Sequence, residues 1–196
     1  MKVLEQLRSE LSERFPQATQ VQWRRESGDK VFWAWPKGGL RELVAAPGFG
    51  ASLLLQRWLK LGQGIKALLD AADGFDPDSC DAELLPELLW LRCNAAAQAM
   101  RAADVLMREG CVPVLAMDFR LCEPRELRAI PSSSWHRLRL LASRSGVSVL
   151  VCSPFAWLPC VESRWQLGDA ALALSELQQG RAGMLEQKLM PALRVA

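Results

Sequence analysis

What this sequence lacks narrows its possible roles before any motif is read. It holds a single histidine, His136, beside Trp135 and Arg137. A Cys–His catalytic dyad or a zinc centre would need scattered thiols to gather on that one ring, and no spacing suggests it. His136 is expected to be structural or solvent-facing. The six cysteines (80, 93, 111, 122, 152 and 160) contain no C-x-x-C pair. They read as reduced, mostly buried thiols, which points to the cytoplasm. No apolar run approaches the ~18 residues of a membrane span. The first ten residues carry acids and no apolar signal core, so neither membrane insertion nor secretion is expected. Net charge is only +2, which by itself implies no nucleic-acid partner.

What is present is an ordinary globular balance: 196 residues, half apolar and 23% charged, enough for one domain with a real core. Val3, Leu4, Leu7, Leu11 and Phe15 fall at helical spacing before Pro16, predicting an amphipathic helix over 3–15. Val21–Trp23 and Val31–Trp35 read as short strands carrying Trp23, Trp33 and Trp35. These rings either plug the edge of the core or, with Leu4, Leu7, Leu11 and Phe15, form an arm that docks on a partner. Residues 1–35 are therefore separated as an arm from a core of 36–196.

Beyond the arm, apolar strands alternate with helices. Strands are expected at Glu42–Ala46, Ile65–Leu69, from about Glu87, and at Val112–Asp118, Val147–Cys152, Val161–Leu167 and Ala171–Leu177. Helices are expected at Ser52–Leu61, from an Asn94 cap to Glu109, and from Ser132 or Ser133 to Ser145, stopped by Gly62, Gly110 and Gly146. Pro191 leaves the tail ambiguous. Continuous apolar strands between helices predict an α/β fold, with a mostly parallel sheet covered on both faces.

The stretch Leu43–Ser52 reads as strand, glycine turn and helix start, where an α/β protein cradles phosphate. Against G-x-x-x-x-G-K-[ST], Gly50 and Ser52 stand in register, but Ala45 replaces the first glycine and Ala51 the lysine. The Gly48–Ser52 turn, Asp70–Asp73 and Asp118 would collect at the carboxyl ends of the strands, where such sheets bind ligands. Between Arg120 and Arg144 lie Arg120, Arg125, Arg128, Arg137, Arg139 and Arg144 against Glu123 and Glu126. They form a solvated face or a surface for an anionic partner or nucleic-acid backbone.

The order of these pieces resembles the RecA family of recombinases, and specifically its degenerate relatives. Gly38–Ser52 is similar to that family's run into the phosphate loop, Leu68–Pro77 to its I-D-A-E-x-x-x-D-P segment, and Met100–Asp118 to its helix and Walker B strand. Ser132–Pro154 and Glu162–Leu167 follow in the same order, so the resemblance covers residues 36–180. It implies a RecA-like P-loop NTPase fold in which the Val147–Cys152 strand lies between the Leu43–Ala46 and Val112–Asp118 strands. In this alignment Gly48, Gly50, Ala51, Ser52, Ala72 and Asp118 make a degenerate nucleotide site. Ala51 stands for the lysine, Ala72 for the catalytic glutamate, and Ser153-Pro154 for a phosphate-sensing glutamine.

Losing a charge-assisted set of hydrogen bonds costs roughly 1.5–3 kcal/mol, and losing a general base costs about 10²–10⁴ in rate. A pseudo-ATPase needing no cofactor and no metal is therefore expected. The family's long DNA-contacting loop has only a short counterpart here, before Glu162. The resemblance comes nearest to the ImuA group of accessory proteins in bacterial damage-induced mutagenesis. It implies RecA and a Y-family-polymerase-like protein as partners, with self-association a further possibility. A SulA-type inhibitor of cell division and a weak ATPase using Arg120 are the alternatives.

Overall fold

Apolar runs such as Val-Leu-Ala-Met and Val-Leu-Val-Cys need burial on both sides, and in the computed structural model they have it. The structure describes residues 38–47, 50–62, 64–110, 112–168 and 189–195. The expected arm, with Leu4, Leu7, Leu11, Phe15, Trp23, Trp33 and Trp35, lies outside the described residues, as do Gly48 and the Ala171–Leu177 strand. The described elements are β1 (Gly39–Val44), α1 (Ala51–Leu61), β2 (Lys66–Asp70), β3 (Leu88–Arg92), α2 (Ala96–Glu109), β4 (Val114–Asp118), α3 (Pro124–Arg128), α4 (Ser132–Ser145), β5 (Ser148–Ser153), β6 (Ser163–Leu167) and β7 (Leu193–Val195). The strands form one sheet in the order β3-β2-β4-β5-β1-β6-β7. All neighbouring strands run parallel except β7, which pairs antiparallel with β6. The expected placement holds: β5 lies between β1 and β4.

Side chains alternate across this sheet, so each central strand feeds two cores. Ala67, Leu69, Leu115, Met117, Val149 and Val151 pack under α2 and α4, with Ala99, Met107, Trp135 and Leu138. Leu68, Val114, Ala116, Leu150 and Cys152 pack under α1, with Leu54, Leu55, Trp58 and Leu59. Helices thus cover both faces. All three described helices of ten or more residues end at the expected glycines: Gly62 follows α1, and Gly110 and Gly146 follow α2 and α4 in the left-handed region.

Two boundaries differ for instructive reasons. Asn94 does not cap α2; Ala95 holds the cap position. The Asn94 N–H donates to Gln98 Oε1 (2.8 Å), and the Ala96 N–H donates to Glu126 Oε1 (2.5 Å). A carboxylate borrowed from α3 thus meets the open helix end and its partial positive charge. β1 starts at Gly39 rather than Glu42, because pairing with β5 begins there, at Gly39–Ser148. Gly39 has φ +106°, and a Cβ on it would run into the Glu162 carboxylate, which pairs with Arg41 at 3.5 Å. Gly39→Ala should therefore lower stability by about 1–3 kcal/mol, read as a lower urea midpoint at unchanged slope.

The buried thiols give another check on the packing. Cys122 is pushed up to about 12 by burial, helped by the charges of Glu126, Asp118 and Asp70. Cys152, wholly enclosed in β5, is raised by burial as well. Cys80 is only partly buried. Cys111 lies outside the described residues, so a Cys111→Ser background is the useful one. There a thiol reagent at mildly alkaline pH should modify Cys80 first and reach Cys122 and Cys152 only on unfolding.

Candidate functional site

The residues expected to form a degenerate nucleotide site, those among them that the structure describes, come together at the carboxyl ends of β1, β2 and β4. Parallel register sets Asp70 beside Asp118 on adjacent strands. Two nearly buried carboxylates at one level must each be matched, or they repel. Asp70 is matched by its own loop: Gly74 N–H and Phe75 N–H donate to its two oxygens at 2.9 Å each, with Trp90 Nε1 at 3.4 Å. The aspartate of the Asp-Ala-Ala-Asp segment therefore builds the turn that follows it.

Asp118 is matched by a cation from its own strand end. Arg120 Nε donates to Asp118 Oδ1 at 2.9 Å and an Arg120 Nη donates to Oδ2 at 2.5 Å, a bidentate pair. The same Nη reaches Ser52 Oγ at 3.0 Å. Both charged side chains are nearly closed off, at 8% and 7% exposure. Burial opposes the guanidinium charge, but the hydrogen bonds and charge of Asp118 outweigh it and raise the Arg120 pKa above its ordinary value.

Around these groups lies a small cavity of about 110 Å³, lined by Pro47, Ser52, Asp70, Ala72, Asp118 and Arg120 among others. Ala51 is entirely buried at the start of α1, where its methyl belongs to the core. Gly50 precedes it at φ +76°, with the Leu189 methyls packed against the position a Cβ would take. The structure thus brings Gly50, Ala51, Ser52, Ala72 and Asp118 to one corner of the sheet. Two of these residues, Ser52 through its hydroxyl and Asp118 through its carboxylate, are joined by the Arg120 guanidinium.

That placement corrects one expectation. Arg120 is not part of an exposed basic face, because the carboxylate two residues earlier draws it inward. Arg137 is exposed but paired with Asp104 at 2.6 Å, which also pairs with Arg108 at 2.8 Å. Arg128 lies over the Phe155 ring, 5.4 Å from its centroid. Arg125, Arg139 and Arg144 are exposed, as is His136. The arginines are divided among separate tasks.

A second polar cluster was not anticipated. Glu42, in the middle of β1, is wholly buried, yet its Oε1 accepts from Ser153 Oγ (2.8 Å), Trp157 N–H (3.2 Å) and Leu158 N–H (3.4 Å). Arg164 Nε on β6 donates to Oε2 at 2.5 Å, and its Nη donates to the Leu158 carbonyl at 2.7 Å. Ser153, aligned by resemblance with a sensing glutamine, is committed to this buried carboxylate. An acid within a segment that runs into the apolar Leu43–Ala46 is the sequence signal that such a partner exists.

Among the described residues no helix is long and apolar enough to cross a membrane. Comparison with known proteins finds no matching family model and no matching curated protein.

Proposed function

We propose that this chain is a non-hydrolysing RecA-like protein that acts by holding other proteins. We place it with ImuA-type accessory proteins of the bacterial DNA-damage response, acting in the cytoplasm with RecA and a Y-family-polymerase-like protein as partners. The observation that carries the pseudo-ATPase part is the Arg120 guanidinium joined to both Asp118 and Ser52. Metal-assisted phosphoryl transfer needs a hydroxyl and a carboxylate turned toward a divalent cation, with a lysine on the phosphates. Here a tethered cation occupies those two oxygens, and the lysine and glutamate positions are Ala51 and Ala72. The strand order, with β5 between the loop strand β1 and the aspartate-ending β4, supports the RecA-like reading. The partners rest on the sequence resemblance.

Calorimetry of the full chain with Mg-ATP tests the first part, and no binding heat is the expected result. Micromolar binding, or turnover that Asp118→Ala abolishes, would overturn it in favour of a weak ATPase. Pull-down with purified RecA and the polymerase-like protein tests the second part, with residues 1–35 deleted as the comparison. Capture that depends on those residues supports the arm as the docking element. Failure with both partners, and capture of the cell-division GTPase instead, would favour the SulA-type alternative.

A further inference from the structure

A second cavity, about 470 Å³, shares no described lining residue with the Arg120 site and opens beside the carboxyl end of β5. Leu127, Arg128, Ile130, Trp135, Phe155 and Trp157 form most of its wall. Its floor is aromatic: Trp135 meets Trp157 edge-on at 5.2 Å, and Phe155 leans on Trp157 at 6.2 Å. Phe155 and Trp157 remain half-exposed. Arg128 lies over the Phe155 ring, and among the described residues no carboxylate pairs with it. Arg125 stands exposed one turn earlier on α3. Ser132 opens the 14-residue α4, whose first turn contains no acid. Among the described residues no acidic side chain lines the groove, and none offers a hydrogen-bond partner to the buried Trp135 Nε1 in its wall.

We propose that this groove docks an acidic peptide segment of a partner protein. An apolar side chain would rest on Phe155 and Trp157, and a neighbouring carboxylate would be held by Arg128 at the positive end of α4. The chemistry is complementary on both counts: an apolar floor excludes water, and a ring-supported guanidinium offers its N–H edge to an anion. A single-stranded nucleic acid fits less well, since stacked bases need open ring faces. Here Phe155 already carries Arg128, and Trp157 is packed among Phe119, Trp135 and Phe155. The inference stands apart from the Arg120 site and does not depend on the nucleotide reading.

Fluorescence anisotropy of the full-length protein tests it, with a labelled peptide carrying a run of aspartates followed by two leucines. The same peptide with lysines for aspartates, and an oligothymidylate, serve as comparisons. The acidic peptide should bind, the lysine peptide should not, and Arg128→Glu should weaken binding about tenfold or more. Arg128 is exposed, so an unchanged circular-dichroism melt will show the variant folded. In nuclear magnetic resonance the Trp135 indole N–H signal, assigned by its loss in Trp135→Phe, should shift on peptide addition. Equal binding of both peptides, or binding indifferent to Arg128→Glu, would overturn the proposal. So would absence of peptide binding, and oligothymidylate bound through Arg128 in its place would reassign the groove to nucleic acid.

Discussion

Arg120→Met should cost the protein about 3–5 kcal/mol of stability, because it strands a buried carboxylate whose other surroundings cannot replace a bidentate partner. Among the described residues, Asp118 keeps only the backbone N–H of residue 120, at 3.1 Å, as a donor to its side chain. Urea unfolding monitored by tryptophan fluorescence measures the loss. The pair belongs to one unit, so the double variant Arg120→Met/Asp118→Leu should recover most of it, as apolar replacements of buried ion pairs often do. A single-variant cost below about 1 kcal/mol, in the range of an exposed pair, would mean that the guanidinium does not hold Asp118 as described. The variant also separates a structural ion pair from a surrogate for a metal ion. With the guanidinium gone, Ser52 Oγ and Asp118 are free, and millimolar Mg²⁺ should raise the unfolding midpoint of Arg120→Met through linkage. The wild-type midpoint should not move.

This pair is legible in the sequence at the strand end. Asp118 and Arg120 are two residues apart, so extended backbone turns both side chains to one side of the sheet. The central architecture was legible for a simpler reason. β4 and β5 are uninterrupted apolar runs, and α1, α2 and α4 each show an apolar stripe closed by a glycine, so periodicity and terminators agree. The differences, and the ambiguity left at the tail, fall where a partner decides the outcome. Gly39–Arg41 has no strand-like composition, yet Arg41 is buried and the segment pairs along β5. Leu193–Val195 follows Pro191 and looks like an interrupted helix, but it becomes a strand by pairing with Trp165–Leu167. The cap of α2 comes from Glu126, thirty residues away. None of these can be read from local pattern, since the free energy that fixes them lies in contacts between distant segments.

Glu42 is the extreme case, with its cation 122 residues away on β6, and it carries the other large prediction. Only the adjacency of β1 to both β5 and β6 brings Ser153 and Arg164 to one carboxylate. Glu42→Leu would leave the Arg164 guanidinium, the Ser153 hydroxyl and the Trp157 and Leu158 N–H groups without their acceptor. A loss of about 3–5 kcal/mol is expected, with Glu42→Gln intermediate because its amide oxygen can still accept from Ser153 and the loop. Deleting the cation instead, in Arg164→Met, should cost a similar amount, and the two effects should not add. The same carboxylate fixes the loop that carries Phe155 and Trp157 into the aromatic groove. Hydrogen exchange at the Trp157 and Leu158 amides should therefore accelerate in Glu42→Gln while amides in β4 stay protected to the limit set by global unfolding. If exchange at residues 157 and 158 rose no more than that in β4, the carboxylate would be bracing the whole sheet rather than this loop. Selective acceleration would instead tie the shape of the groove to a charge buried in β1.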